Sequence, residues 1–403
     1  MPIAAAILIA LLAADSSPPN WPGWRGPNAD GLSRESGIPT TVGSDNLKWK
    51  TPIPGVGHSS PIVWEDSVFV TAAIEDEKPT RRTLVRIDRN TGAIRWQKTV
   101  LETGLEEQHR LNSRASSTPA TDGERVYTSF LDGDRMFVAA HDFDGNRVWE
   151  KRPGPFSSKH GYSANPVVYK DRLIVNGDHD GDAFIAILDK KTGETVKTIP
   201  RENKLRSYST PIIANIDGRD QMMIVGSRYT AGYDVETGER LWMCDGPSEQ
   251  MVATLLRGHG LIYSLGGFPE RRVLAIREGG KGDVTATHVA WRSQKAAPYV
   301  PSALLLGDIL HVISDEGIYS SYDAKTGNIH EQKRLAGHVS ASMVGAENRA
   351  YVIDDDGKLY VLGNKPGLHL IAKSSVGEEV YASPAISHGS LFIRGTKHLM
   401  RFD

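Results

Sequence analysis

The sequence contains only one cysteine, Cys244, among its 403 residues. A single cysteine cannot form a disulfide within the chain, and it cannot supply the paired thiolates of a metal cluster or a CxxC redox motif. The CxxCH sequence that attaches a haem is absent as well. These absences exclude a disulfide scaffold, a thiolate metal centre and a c-type haem protein.

An excess of charge of one sign is also missing. Lys and Arg number 47 and Asp and Glu number 49, which leaves a formal net charge of -2. Phosphate backbones and anionic lipid surfaces are bound through a positive field, so we predict that nucleic acid is not a partner. The sequence lacks nucleophile-elbow, Walker and HExxH motifs, so nothing indicates a hydrolase or a nucleotide-dependent enzyme.

Long apolar runs are confined to the first residues. The run from Ile3 to Ala14 is too short to cross a bilayer, but its length is typical of the apolar core of a secretory signal. We therefore predict a signal peptide over residues 1–14, no transmembrane span, and a periplasmic or secreted mature protein. A misassigned start is the alternative, because no Lys or Arg precedes the run. No cysteine lies near the expected cut, so a lipid anchor is not expected.

A repeat runs through the rest of the sequence. Each unit has a Ser-Pro, Thr-Pro or Asn-Pro pair or an eroded form of it, a short β-rich run, a second run, then an Asp-x-x-Thr-Gly turn and often a Trp. Eight such units recur roughly every 46 residues, a spacing that suits four short strands each. The Asp can accept hydrogen bonds from the turn and the Gly supplies a positive φ. The repeat positions are Asp88, Gly92, Trp96, Asp142, Trp149, Asp189, Gly193, Asp234, Gly238, Trp242, Asp323 and Gly327.

The last unit ends at Asp403, before a fourth strand. Residues 47–50, with Trp49 at the position of the repeat tryptophan, match the outer-strand pattern. Pairing this N-terminal segment with the last unit would remove an open sheet edge. We therefore predict an all-β fold, an eight-bladed β-propeller of four-stranded antiparallel blades over residues 47–403, preceded by an extended Trp-, Pro- and Gly-rich segment over residues 15–46.

With these motifs the chain resembles the PQQ-like repeat family, the quinoprotein and BamB-like β-propellers. Its outer-strand motif, Ala-x-Asp-x-x-Thr-Gly-x-x-x-Trp, is matched in its second part by residues 88–96 and 234–242. The first Ala is replaced by Arg86 and Gly232. The resemblance covers residues 47–403 and implies the propeller fold.

The resemblance implies two functions. Enzymes of the family hold pyrroloquinoline quinone (PQQ) with Ca²⁺ over the propeller axis, use a catalytic Asp, and often add a cysteine pair, which one cysteine cannot provide. Other members are binding or assembly scaffolds of the cell envelope. We predict the second function: an exported, non-catalytic, monomeric scaffold without a cofactor or catalytic residues. A PQQ-dependent alcohol or sugar dehydrogenase is the alternative.

The loops that enter the inner strand of each blade lie on one face around the axis, where binding usually gathers. We expect this face to bind an envelope protein or a small polar ligand. In the alternative interpretation, Ser and Thr cap strand ends while His and Tyr fill the mouth. The candidate residues are His58, Ser60, His109, Asn112, Ser116, His160, Tyr162, Tyr208, Tyr299, His338 and Tyr381.

Three further expectations concern single segments. His58, His109 and His160 come from separate loops without HxH or HxxxH spacing, so no metal site is predicted. The long interval that contains residues 101–112 suggests a short helix or lid over the entry face. Trp21 and Trp24 are expected to pack on the outside of the propeller, or alternatively to form a stacking platform.

Two acidic turns, residues 178–182 and 354–357, carry alternating or consecutive Asp residues next to Gly. Alternating carboxylates can bind Ca²⁺, but the distal Glu of the EF-hand loop is absent. We predict that the first turn is a solvated loop and that the second is a hairpin turn.

Overall fold

The regular structure of the protein, seen in a computed structural model that describes residues 19–76, 78–295 and 297–403, consists of β-strands joined by turns and loops, with no helix among those residues. The expected signal peptide lies outside this part of the chain. No helix able to cross a membrane is found in the described ranges.

The strands form eight antiparallel sheets, one for each predicted repeat, and this confirms the eight-bladed propeller. Blades 1 to 4 contain β2 (Ile62–Trp64), β3 (Ser67–Ile74), β4 (Thr80–Asp88), β5 (Ile94–Thr103); β6 (Ala120–Thr121), β7 (Arg125–Asp132), β8 (Arg135–Asp142), β9 (Arg147–Lys151); β10 (Val167–Tyr169), β11 (Arg172–Gly177), β12 (Phe184–Asp189), β13 (Thr195–Pro200); β14 (Ile212–Ile216), β15 (Arg219–Gly226), β16 (Tyr229–Asp234), β17 (Arg240–Asp245).

Blades 5 to 8 follow the same order from inner to outer strand, and β21 adds a parallel fifth strand to blade 4. Their strands are β18 (Leu256–Gly258), β19 (Leu261–Gly266), β20 (Arg272–Arg277), β21 (Gly282–Asp283), β22 (Val289–Ser293); β23 (Leu304–Leu306), β24 (Ile309–Ile313), β25 (Ile318–Asp323), β26 (Ile329–Arg334); β27 (Val344–Ala346), β28 (Arg349–Ile353), β29 (Lys358–Gly363), β30 (Leu370–Ser375); β31 (Ala385–Ser387), β32 (Ser390–Arg394), β33 (His398–Phe402), with β1 (Leu47–Pro52).

The ring closes in blade 8, where β1 pairs with β33. Leu47 lies opposite Phe402 and Trp49 opposite Arg401, so the first strand of the propeller completes the last sheet. The predicted closure is therefore confirmed. Since β33 has a partner on both sides, the end of the chain leaves no open edge there.

The Asp-x-x-Thr-Gly turns join the third and fourth strands of their blades. In blade 1, Asp88 accepts hydrogen bonds from the backbone N–H groups of Asn90 and Thr91 at 3.0 and 2.8 Å. Gly92 has a φ of +74°, and a Cβ at this position would lie 2.7 Å from the ring of Trp49. The glycine therefore allows the positive φ of the turn, and it leaves room for Trp49 of the neighbouring blade.

Tryptophans on outer strands donate hydrogen bonds to these turns in the neighbouring blades. Trp49 Nε1 donates to the carbonyl of Arg89 at 2.9 Å, and Trp149 Nε1 donates to that of Lys190 at 3.0 Å. Trp96 and Trp291 make the same contact with their next blades. Trp242 differs, because its Nε1 donates to Gln221 of its own blade.

Changing Asp88 to alanine is expected to lower the free energy of unfolding by about 1 to 2 kcal/mol at pH 7, since several turn donors lose their acceptor. Burial alone would raise the pKa of Asp88, but hydrogen bonds from Arg95 and Thr91 outweigh it and lower the pKa to about 2. The carboxylate therefore stabilises the fold above pH 4, and this contribution is lost as the pH falls through 2. Urea unfolding at several pH values measures the difference between wild type and variant. An equal difference at pH 7 and below pH 2 would contradict this explanation.

The N-terminal segment crosses the axial channel, which corrects the expectation that its tryptophans pack on the outside. Trp21, 2% exposed, pairs with Val63 of β2 in blade 1, and further along the chain Leu32 pairs with Gly345 of β27 in blade 7. Between them the indole of Trp24 donates to Thr254 in blade 5 at 2.8 Å. Residues 19–33, which we call the plug, therefore run between the inner strands.

Arg25 fixes the plug to two blades. Its guanidinium is buried and donates to the carbonyl oxygens of Met343, Ala303 and Asp30 at 3.2, 2.7 and 2.9 Å. Burial lowers the pKa of Arg25 to about 10, so the side chain stays charged at neutral pH. No local pattern in the sequence indicates the contacts with Met343 and Ala303, because these acceptors lie far along the chain.

Candidate functional site

The entry loops surround a cavity of about 660 Å³ at the propeller axis, which we call the cup. Trp24 of the plug lines the cup and also a second cavity of about 540 Å³ on the other side of the plug. Ten of the predicted candidate residues line the cup: His58, Ser60, His109, Asn112, Ser116, His160, Tyr208, Tyr299, His338 and Tyr381. Their role in binding a ligand stays a prediction.

Tyr162 is the candidate that does not line the cup. Its side chain is 5% exposed and its ring packs edge-on against Phe156 at 4.9 Å, within a core cluster of blades 2 and 3. The entry loop of blade 3 turns this side chain inward between the sheets, whereas His160 of the same loop lines the cup.

Several side chains that line the cup are not among the residues predicted from the sequence. Arg206 stands two residues before Tyr208 in an entry loop, so a search of these loops for cations would have found it. Others follow second strands and reach the cup only through the fold. The missed residues with charged, amide or aromatic side chains are Trp24, Lys159, Asn165, Arg206, Gln250, Phe268, Arg271, Asp315 and Glu316.

Hydrogen bonds link the starts of neighbouring inner strands around most of the ring. Ser60 N–H donates to Thr118 Oγ1 at 3.0 Å, and Thr118 N–H donates to Asn165 Oδ1 at 2.6 Å. The same pattern holds between the N–H and hydroxyl groups of Thr254, Ser302, Ser342 and Ser383, at 2.9 Å in each case. These hydroxyl groups therefore have the structural role that the alternative interpretation gave them.

Aromatic rings pair around the wall of the cup. His58 and Tyr381 lie with ring centroids 4.7 Å apart, and His109 and His160 lie 5.6 Å apart. Burial and then the charge of Arg394 lower the pKa of His58 to about 4. Burial and then Arg206 lower that of His160 to about 4 as well. Both imidazoles are therefore neutral at pH 7.

The long interval after blade 1 forms no helix, contrary to one of the expectations. Residues 101–103 belong to β5, and the chain then continues without regular structure to the next inner strand. Glu106 is held by Arg82 and Arg114. Asn112 donates to the carbonyl of His160 at 2.7 Å. The segment thus brings His109 and Asn112 to the wall of the cup.

The two acidic residues that line the cup are engaged with protein donors. Asp315 accepts from the N–H groups of Tyr299 and Val300 at 2.6 and 3.1 Å, and Glu316 pairs with Arg271 at 2.6 Å. Among the described residues, no three His, Cys, Asp or Glu side chains are arranged to hold a metal ion. This wall does not fit the Ca²⁺ that accompanies PQQ, because its carboxylates already have partners.

The first acidic turn is also different from the expectation of a solvated loop. Asp178 is fully buried and forms a bidentate ion pair with Arg201, with N–O distances of 2.8 and 2.9 Å. The guanidinium of Arg201 lies 4.9 Å from the ring of Tyr229. The pair connects the second strand of blade 3 to the end of its outer strand and has a structural role. The second acidic turn joins β28 to β29, as predicted.

Comparisons with known proteins agree on the architecture. A family model described as outer membrane protein assembly factor BamB matches residues 40–130 and 80–329. The BamB protein of Shewanella oneidensis is 23% identical over 310 residues, which cover 71% of this chain and 73% of that protein.

Solved structures are similar at lower identity and therefore inform the fold alone. BamB from Moraxella catarrhalis superposes with a TM-score of 0.62 at 14% identity, covering 89% of this chain and 99% of that one. Quinohemoprotein alcohol dehydrogenase from Comamonas testosteroni superposes with a TM-score of 0.68 at 12% identity, covering 95% and 80%.

Proposed function

The chain belongs to the family of outer membrane protein assembly factor BamB, and on that basis we propose that it is an exported, non-catalytic scaffold of the cell envelope that binds a protein partner in its cup. The proposal places the mature protein in the periplasm as a monomer. It extends to this chain what the name of its relatives states, assembly of outer membrane proteins.

The proposal rests on the plug, which closes one side of the axial channel and leaves the cup open on the other. The plug lies across the channel, with Trp24 lining the cavity on either side of it, so a ligand has access to the cup from the face of the entry loops. Aromatic and amide side chains from several blades line this mouth, including Tyr299, Phe268 and Gln250. A wide, open cavity with aromatic anchors and polar groups suits a protein segment.

The alternative, a PQQ-dependent dehydrogenase, has the support of the fold alone. A dehydrogenase of this type needs Ca²⁺ ligands and a carboxylate base at the axis. Asp315 and Glu316 are held by backbone N–H groups and by Arg271, so the cup offers neither group in a free form. The pairing of both carboxylates with protein donors favours the scaffold.

Photo-cross-linking in intact cells tests the proposal. Phe268, which lines the cup and is 52% exposed, is replaced by benzoylphenylalanine, and the adducts are identified by mass spectrometry. We expect cross-links to an outer membrane protein or to a component that assembles such proteins. The matched control places the same photoreactive residue at Val148, which is 44% exposed on the outer strand β9, and we expect it to give no adduct with that protein.

Two results would overturn the proposal. Identical adducts from both positions, or none from Phe268, would show that the cup is not the docking area. Reconstitution with PQQ and Ca²⁺ followed by dye-linked oxidation of alcohols or sugars gives the other test, and saturable turnover would establish the dehydrogenase instead.

A further inference from the structure

Among the described residues, the hydrogen-bond chain around the cup is interrupted between blades 4 and 5, where the hydroxyl groups of Thr210 and Thr254 each have another partner, and between blades 8 and 1. Ser383 accepts from Ser342, but no hydrogen bond continues from Ser383 to the hydroxyl of Ser60. Ser60 is 3% exposed and lines the cup, and its Oγ has no hydrogen-bond partner among the described residues. A buried hydroxyl without a partner is costly, and here it faces a cavity that can admit a ligand.

A buried arginine lies beside the interruption between blades 8 and 1. We call this junction, between Ser383 and Ser60, the seam. By strand register, Arg394 of β32 takes the position that Ile353 of β28 and Ile313 of β24 take in blades 7 and 6. The equivalent residues of the other blades are also uncharged: Thr71, Ser129, Asn176, Val225 and Leu265. Arg394 is 2% exposed and has no carboxylate within ion-pair distance in the described part of the chain.

Part of the role of Arg394 is to clamp the ring. Its Nη1 donates to the carbonyl oxygens of Ser59 and Thr71 at 3.2 and 2.7 Å, which joins blade 8 to blade 1. Blade 3 makes the corresponding contact with the neutral amide of Asn176, which donates to the carbonyls of Ser207 and Ser209. A clamp at this position therefore does not require a charge, so the positive charge at the seam needs another explanation.

Two rings flank the seam on the wall of the cup. His58 and Tyr381 line the cup next to Ser60, and the field of Arg394 reaches the ring of His58. Burial raises the pKa of Tyr381, so its phenol remains protonated and able to donate a hydrogen bond. The carboxylates of the cup, Asp315 and Glu316, belong to blade 6 and are paired there. The seam thus combines a buried cation with hydroxyl donors.

We propose that the seam is an anion subsite of the cup that binds a carboxylate of a peptide, with Ser60 and Tyr381 as donors and Arg394 as the buried counter-charge. The inference rests on the proposed function, because it takes a protein segment as the occupant of the cup. The carboxylate belongs to the end of the peptide or to an acidic side chain, and both sources present the same two oxygens.

Isothermal titration calorimetry with three short peptides tests the subsite. The first is acetyl-tetraalanine with a free carboxylate, the second is its C-terminal amide, and the third is an amide of the same length that contains one glutamate. We expect the wild-type chain to bind the first or the third about tenfold more tightly than the second, the difference that a hydrogen bond to a charged group provides. Which of the two binds shows the source of the carboxylate.

Two variants locate the effect at the seam. Ser60→Ala is expected to weaken binding of the preferred peptide about tenfold without lowering the thermal midpoint, because its hydroxyl has no partner in the fold. Arg394→Asn gives blade 8 the amide clamp of blade 3 and is expected to abolish the preference for a carboxylate. The matched control is Ser320→Ala, which removes another buried hydroxyl without a partner, in β25 and away from the cup, and is expected to leave affinity unchanged.

The subsite is refuted if all three peptides bind equally, if none binds, or if Ser60→Ala and Ser320→Ala behave alike. These results leave the scaffold intact where cross-linking from Phe268 still captures an envelope protein. Conversely, a carboxylate preference that depends on Ser60, together with no cross-link in cells, would refute the scaffold and retain the subsite.

Discussion

Replacing Trp49 with alanine is expected to lower the free energy of unfolding by about 3 to 5 kcal/mol, the usual cost of removing a large buried ring. Trp49 is 8% exposed, and its ring packs over Gly92 while its Nε1 holds the carbonyl of Arg89. It lies on β1, the strand that closes the ring, so its loss weakens both the sheet of blade 8 and the contact with blade 1. Urea unfolding followed by far-UV circular dichroism measures the change.

A matched outer-strand variant separates closure from general damage. Val196→Ala changes a residue of β13 that is 46% exposed and is expected to cost less than about 0.5 kcal/mol. If Trp49→Ala were no more destabilising than this control, the ring would not depend on the pairing of β1 with β33.

The second large effect concerns the plug. Arg25→Ala is expected to cost about 3 kcal/mol, because two buried carbonyl groups and a part-buried one lose their donor and a cavity forms where the side chain lay. Limited proteolysis is expected to cut the variant within residues 19–33 faster than the wild type, since Arg25 ties this segment to Met343 and Ala303.

The control for the plug is Arg228→Ala. Arg228 pairs with Glu249 at the surface, where its side chain is 69% exposed, and such pairs contribute at most about 1 kcal/mol. Equal thermal midpoints for the Arg25 and Arg228 variants, with no added cleavage near the N terminus, would mean that the plug does not depend on Arg25.

The architecture was predictable because its signals are local. The turn chemistry of Asp88 and Gly92 repeats at a constant spacing, and each copy specifies a hairpin within its own blade. Closure was predictable for a related reason, since Trp49 carries the repeat pattern on a strand that lacks a blade of its own. Each hairpin depends on residues a few positions apart, and the tryptophans recur at a fixed spacing from the turns, so the sequence displays both directly.

The rest depends on contacts between distant parts of the chain. Trp24 lines the cup and the neighbouring Arg25 donates to carbonyl groups of blades 6 and 7, and no pattern near these residues indicates either contact. From the sequence, Asp178 is predicted to lie in a solvated loop, whereas in the fold it pairs with Arg201. Tyr162 and His160 share one loop, yet only the fold decides which of them faces the core and which faces the cup.

Docking through the cup is tested most directly by hydrogen–deuterium exchange of the full chain, alone and mixed with the protein that the Phe268 cross-link identifies. We predict slower exchange in the entry loops around His58, Tyr208 and Tyr299, and no change in the hairpin turns at Asp217 and Gly260, which lie at the other end of their inner strands. Protection of those turns with unchanged entry loops would contradict a scaffold that binds through its cup.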